Sequence, residues 1–553
     1  MRVVSGVVAL VLGLAAMTGA FGLQTVWAPP ATLTASTGAA SAAPAEAPLT
    51  VITGGIDEVD DKPVEYSLSG EGDYTVMLGQ KRDVEAWVGD AAHNTISGIE
   101  TDVPDGEAPR VVVEHTDGEA TVPDPAGSDL WVDVQRASGT IEQRWSVPSE
   151  GEWALLVAAD GTQPAPTQMS VTWTNTVGDS PWIVPLAIIG ALLALIGIAL
   201  LVWALMIRNR RRNRPAPGTT ATASVVALAV VTASLTAPSM VLGASPARAD
   251  AAEREQYPLV TESQLERILA KISYVVRKGD QEQDVDTLRP RVGSQALQLR
   301  SFNYTNRAVS DEVQPQEPVS AGPVVSVLAE ADPEFPRTIA AVTEGEGNST
   351  PQFLVLRQNS ARDQYRLVAN TPMTPGAELP ASDLSDTSVE SVASDDTTGL
   401  AMSPGNAVAG LARYLTDPEA DFADRMVENP VIDGVHEYQA SVEEDAPDAK
   451  MYISRRSVPD ASITLRLADG SALVIGHIDA RMTIAPRSPG DRIVVDELAA
   501  ERAGEDSVET TAPVRMTYRE VVAVRVPAEG SSGDDAKVSL VGMTDELQAV
   551  SFD

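Results

Sequence analysis

No cysteine occurs in the 553 residues, which excludes disulfides, thiolate nucleophiles and thiolate metal sites together. Stability must therefore come from ordinary cores. Histidine is nearly as scarce: four residues, dispersed along the chain, make no convincing metal site. Basic residues are outnumbered, 40 against 78 acidic ones, and the net charge of −38 argues against a nucleic-acid partner. Aromatics make up 4% of the chain, and all eight tryptophans lie at or before Trp203, so the two halves differ in composition. Also missing are a G-x-S-x-G elbow, an S-x-x-K pair, H-E-x-x-H, a Walker loop and the Rossmann glycines. The expectation is a protein with no catalytic residues, no metal, no cofactor and no enzymatic activity.

What is present is segregated. Residues 24–181 carry 6 basic and 26 acidic residues, and residues 250–553 carry 27 and 52. The remainder holds only Arg2, Arg208, Arg210, Arg211, Arg212, Arg214 and Arg248. Uncharged segments flank the arginine island. "VVSGVVALVLGLAAMTGAFGL" within residues 1–27 is long enough to cross a hydrocarbon core of about 30 Å. It reads as a signal or anchor helix, with retention favoured because no small-x-small site follows directly. "WIVPLAIIGALLALIGIALLVWALMI", residues 182–207, is the strongest candidate transmembrane helix, with Trp182 and Trp203 at its ends.

Arg208, Arg210, Arg211, Arg212 and Arg214 follow at once, in a basic loop over residues 208–220. Arginine beside a span resists translocation, so these five are the topology determinants and the loop is expected to be cytoplasmic. Residues 221–244, rich in Ala and Thr, then read as a second, signal-like span, and "SPARADA" makes Ala249 the candidate signal peptidase site. The chain is thus expected in the cell membrane, with the bilayer as a partner and residues 28–181 and 250–553 extracytoplasmic.

Residues 28–48, "APPATLTASTGAASAAPAEAP", read as a disordered stalk. From 49 to 176, short alternating runs such as "VEYSLSG", "YTVMLG", "DVEAWVG", "EWALLVAA" and "MSVTWTNT" predict an all-β sandwich of about eight strands. Tryptophans in such strands could stack on sugars, although core packing is the plainer role.

After residue 255, "VTESQLERILAKISYVVRKGD" opens on a capping box of Thr261 and Gln264 and carries an apolar stripe from Leu265 to Val276. Alternating segments follow, and the order then repeats, with Ser403 and Pro404 starting the next helix. This predicts tandem α+β units at 255–378 and 403–553, joined by an acidic linker at 379–402. Element order resembles a cystatin-like or nuclear-transport-factor-like cone, a curved sheet around a helix. Arg300, Tyr304, Arg366, His477 and Arg481 are polar candidates for a pocket in such a cone.

"DVEAWVGDAAHNTISG", "GSDLWVDV" and "RPRVGSQALQLRSFNY" resemble an actinobacterial family of multi-domain membrane proteins with an exported carboxy-terminal domain of unknown function. The resemblance implies location and assigns no site residues. The function expected is a non-catalytic cell-envelope protein presenting two extracytoplasmic binding or interaction modules, its partner an envelope protein or cell-wall glycan. Two other readings stay open, a carbohydrate-binding or carbohydrate-processing envelope protein and an accessory subunit of an export or glycan-assembly machine.

Overall fold

The computed structural model describes residues 2–25, 32–37, 45–54, 64–104, 108–144, 151–174, 182–212, 257–345, 348, 350–377, 379, 384 and 389–552. Helix α1 (Arg2–Thr25) is followed by the first globular domain: β1 (Thr32–Ser36), β2 (Leu49–Thr53), β3 (Glu65–Gln80), α2 (Lys81–Val88), β4 (His93–Glu100), β5 (Arg110–Thr116), β6 (Asp133–Arg144), β7 (Trp153–Ala158) and β8 (Gln168–Thr174).

All eight strands join one sheet in the order β6-β3-β7-β2-β4-β5-β1-β8, and β8 pairs again with β3, closing the path as a barrel. This differs from the expected pair of facing sheets, and β3 is the reason. Its first part pairs with β8 (Glu65 opposite Thr172) and its last part with β7 (Thr75 opposite Ala158), with a register shift between Ser69 and Asp73. "SGEGD" is a bulged corner inside one long strand, not a turn between two. Gly72 sits at φ +86°, and a Cβ on Gly70 would stand 2.5 Å from the ring of Pro166.

Two further expectations change. Part of the stalk, Thr32–Ser36, is strand β1 on β8, because alternation in "TLTAS" buries Ala35 and half-buries Leu33 against the barrel core. "DVEAWVG" lies largely in α2, where Val84, Trp87 and Val88, at helical spacing, are buried against β2, β3 and β7.

Helix α3 (Ile183–Arg212) lies against α1. It continues past residue 207 through Arg208–Arg212, part of the expected loop, since arginine is a good helix former and Pro215 is the first breaker. Arg214, residues 221–244 and Ala249 lie outside the described residues. Both helices are long and apolar enough to cross a membrane, with mean hydropathies of 2.2 and 2.8 over Val3–Thr25 and Ile183–Ile207. They pack antiparallel through glycines seven apart: Gly6 faces Gly197 and Gly13 faces Gly190. Thr18 and Thr25 hydroxyls donate to carbonyls one turn back, which satisfies them without water.

The carboxy-terminal region opens with α4 (Glu262–Glu282), α5 (Val285–Leu288) and α6 (Ser294–Arg307), then β9 (Val324–Ala329), β10 (Arg337–Thr343), β11 (Gln352–Gln358) and β12 (Arg366–Pro372). The four strands form a sheet in the order β12-β11-β10-β9. The capping box is formed as expected: Thr261 Oγ1 accepts from the Gln264 N–H, and Gln264 Oε1 accepts from the Thr261 N–H. Thr261→Ala should cost about 1 kcal/mol in thermal or denaturant unfolding, in the range of N-cap losses.

A second group comprises β13 (Glu390–Ser391), α7 (Pro404–Thr416), α8 (Pro430–Asp445), β14 (Ala449–Ser457), β15 (Ile463–Arg466), β16 (Ala472–Pro486), β17 (Ile493–Val494), α9 (Glu497–Ala503), β18 (Glu509–Thr510), β19 (Val514–Val526) and β20 (Ser539–Phe552). Its main sheet runs β13-β15-β16-β19-β20, with β14 also on β16. Segment 379–402, read as a linker, contributes β13 to this sheet, with Val389 fully buried.

No cone is built. The two sheets face each other: Ala340, Val342, Phe353 and Val355 of the first meet Leu473, Ile475, Val521 and Ala523 of the second. The alternate residues Ile339, Leu354 and Leu356 pack under α4, while Val474, Val522 and Val524 pack under α7. Helices lie outside and sheets inside, because the "IAAV" and "FLVL" runs of β10 and β11 are apolar on both faces and need two covers.

Candidate functional site at the domain junction

The barrel domain docks on the first α+β unit through charged residues that neither segment could bury alone. Asp129, in the loop before β6, is 4% exposed. Arg291, just after α5, grips it with both terminal nitrogens, Nη2 at 3.0 Å from Oδ1 and Nη1 on Oδ2. Lys271 Nζ of α4 lies 3.0 Å from Oδ1, and the Tyr365 N–H donates to Oδ2 at 3.1 Å. Burial would push the Asp129 carboxyl up, but the Arg291 hydrogen bonds and charge, joined by Lys271, outweigh it and hold it below the usual carboxylate range.

A second ion pair forms where α2 meets β10. Arg337 Nη2 lies 2.7 Å from Asp83 Oδ1, and both side chains are almost fully buried. The Arg337 guanidinium also donates to the Pro333 carbonyl and lies 4.1 Å from the centre of the Phe335 ring. Burial raises the Asp83 carboxyl above its ordinary value, and Arg337 and Arg82 offset this only in part.

Main-chain contacts tie the same seam. Gln264 Nε2 donates to the Asp129 and Leu130 carbonyls, and Arg267 to that of Trp131, so the residue that caps α4 also docks the barrel. Arg362 lies over the Trp87 ring and donates to the Trp87 and Val88 carbonyls at the C-terminal end of α2, where a cation is favoured. Gln80 and Arg82 donate to the carbonyls of Pro258 and Tyr257. A cleft of about 320 Å³ opens beside this seam between residues 126–134 and Gln264, Arg267 and Lys271 of α4. Its size is at the lower end for small-molecule sites, which favour domain boundaries.

The carboxylates here are matched by arginines and lysine, which suits a lock between domains more than proton transfer. Among the described residues, no group of three or more His, Asp or Glu could hold a metal ion.

A family model for a domain of unknown function (DUF8094) matches residues 256–551, more than half of the chain. The chain belongs to the DUF8094 family. No curated protein and no solved structure matches it. All the residues that grip Asp83 and Asp129 from beyond α3 belong to the DUF8094 domain, and the two aspartates belong to the barrel ahead of it.

The polar residues singled out from sequence do not converge. Arg300 and Tyr304 meet on the Asp280 carboxylate, at 2.6 Å each, inside the DUF8094 domain. Arg366 is exposed on β12, while His477 is buried and Arg481 exposed on β16. Trp87, Trp131, Trp153 and Trp173 are each 4% exposed or less, so these rings offer no stacking surface for a sugar, and Trp145 lies outside the described residues. Asp83 and Asp129 were missed because no local pattern distinguishes them among 78 acidic residues.

Proposed function

We propose that this chain is a membrane-anchored, non-catalytic cell-envelope protein that holds its barrel and its DUF8094 domain as one body on the outer side of the membrane, for interaction with an envelope component. The observation that carries the reading is the junction. Asp83 and Asp129 precede α3, and Arg337 and Arg291 follow it, yet each pair is buried together. Partners in a buried ion pair share a compartment. If α3 spans the bilayer, the connection between α3 and the DUF8094 domain has to cross it again.

The glycine seam supports retention of α1 beside α3, since a helix cut away as a signal has no use for a fitted partner. Exposed Val4, Val11, Phe21, Ile188 and Leu195 on the pair suit a lipid surround. The arginine-rich end of α3 supports the orientation, with that end inside and the globular domains outside.

Since the chain has no native cysteine, single substitutions report location cleanly. Glu142→Cys in the barrel and Glu443→Cys in the DUF8094 domain should both react with a membrane-impermeant maleimide on intact cells. Reaction of either only after permeabilisation would sink the proposal.

A further inference from the structure

The long strands of the second DUF8094 sheet extend past the cover of the first. On the face that carries Ile475 and Val521, the next row is Asp479, Arg519 and Glu546, met by α6: Arg519 bonds Gln298 at 2.8 Å, and Glu546 bonds Asn306 at 3.0 Å. Strand register then sets two further rows, Ser454, Arg481 and Thr517, and after them Tyr452, Thr483 and Arg515, with Lys450 beyond. The reverse face of these strands is sealed by Met482, Ile484, Val514 and Met516 in the core shared with α9.

Lys450, Tyr452, Ser454, Arg456 and Arg481 are exposed. Asp479, the acid nearest to them on this face, is already engaged by Arg519 at 3.0 Å and Arg456 at 3.6 Å. Among the described residues, a chain with about two acids per base has therefore collected cations on this face, and the two outer rows on β14, β16 and β19 carry no carboxylate. Arg456 and Arg481 are diagonal neighbours, at about 7–8 Å on a sheet, and Asp479, the carboxylate beside both, is shared by Arg456 and Arg519, which leaves the local balance positive.

We propose that this face binds an anionic glycan. The guanidinium forks of Arg456 and Arg481 take phosphate, sulfate or carboxylate groups. Tyr452, 58% exposed, presents a ring for a sugar to stack on, and the Ser454 and Thr483 hydroxyls meet sugar hydroxyls. That the glycan is an envelope polymer rests on the placement proposed above; the anion-binding face does not.

The test uses the full chain in nanodiscs of zwitterionic lipid, with dextran sulfate, neutral dextran, polyglutamate and phosphatidylglycerol vesicles as probes. Dextran sulfate should bind and neutral dextran should not. The K450S/R456S/R481S variant should bind dextran sulfate at least about tenfold more weakly with an unchanged unfolding transition, a loss of one decade in affinity. Tyr452→Ala should weaken dextran sulfate and leave polyglutamate unaffected, while Glu443→Ser on the exposed side of α8 should change neither. Equal binding by the triple variant, a preference for polyglutamate indifferent to Tyr452, or vesicle binding through the same residues would each overturn the assignment. Cysteine labelling reports the membrane placement separately, so failure of one leaves the other standing.

Discussion

Asp129→Ala is expected to separate the barrel from the DUF8094 domain. The substitution leaves Arg291 buried with a charge and no carboxylate, and removes the acceptors of Lys271 Nζ and the Tyr365 N–H. Removing one partner of a buried pair costs about 3–5 kcal/mol, comparable to what a domain interface can spare. With a protease site placed between α3 and Tyr257, the cut halves of the wild type should co-purify from detergent, and those of Asp129→Ala should not. Co-purification of the variant halves would show that the seam holds without the pair. Asp83→Asn should have a smaller effect, because Asp83 has a shorter set of donors, led by Arg337, and burial already raises its carboxyl above the ordinary value.

Acid should act on the two carboxylates with opposite signs. The Asp129 pKa is lowered in the folded state, so its contribution is present above the unfolded value of about 3.9 and is lost as pH falls through the folded one. The Asp83 pKa is raised, so its contribution is full below about 3.9 and is lost as pH climbs through the folded value. Mild acid should therefore leave the halves docked, and they should part only below the ordinary carboxylate value of about 3.9, as pH falls toward the lowered Asp129 pKa. Separation in mild acid would contradict this order.

The second large effect lies in the helix pair. An ideal Cβ on Gly13 would stand 2.5 Å from the Ala194 nitrogen and 2.7 Å from the Gly190 oxygen, both backbone atoms that cannot step aside. Gly13→Leu must therefore force α1 and α3 apart. A cysteine pair measures this directly, since a Cβ on Gly6 would lie 3.3 Å from Leu200 Cβ, close to the roughly 3.5–4.5 Å of a disulfide. G6C/L200C should cross-link under mild oxidation, joining the fragments made by cutting between α1 and α3, and adding Gly13→Leu should abolish the link. If α1 is cut away in the cell, G6C/L200C would give no linked product, and an undiminished link in the Gly13→Leu background would refute the seam.

Local chemistry explains which parts of the fold could be read in advance. The α4 start at Thr261 and its stripe of Leu265, Ile268, Leu269, Ile272 and Val276 rest on contacts within a few turns of one helix. The α7 start at Ser403 and Pro404 is of the same kind. Segment α2 is ambiguous in sequence, because "DVEAWV" satisfies alternation as well as the helical spacing of Val84, Trp87 and Val88. Gly70 and Gly72 look like a turn, but strands β7 and β8, far ahead in the chain, hold them as a corner. The cationic face is invisible for a related reason: Lys450, Arg456 and Arg481 come together through strand register, not spacing.

By itself, the sequence determined the helix starts, the two long apolar helices and the acidic surface, since each depends on neighbours a few residues away or on composition alone. Only the tertiary structure decided that the barrel closes, that two sheets stack instead of wrapping a helix, and that Asp83 and Asp129 lock one domain to the next. Those outcomes depend on which distant surface covers each apolar face and which distant cation meets each buried carboxylate, and pairings across more than a hundred residues leave no mark on the local pattern.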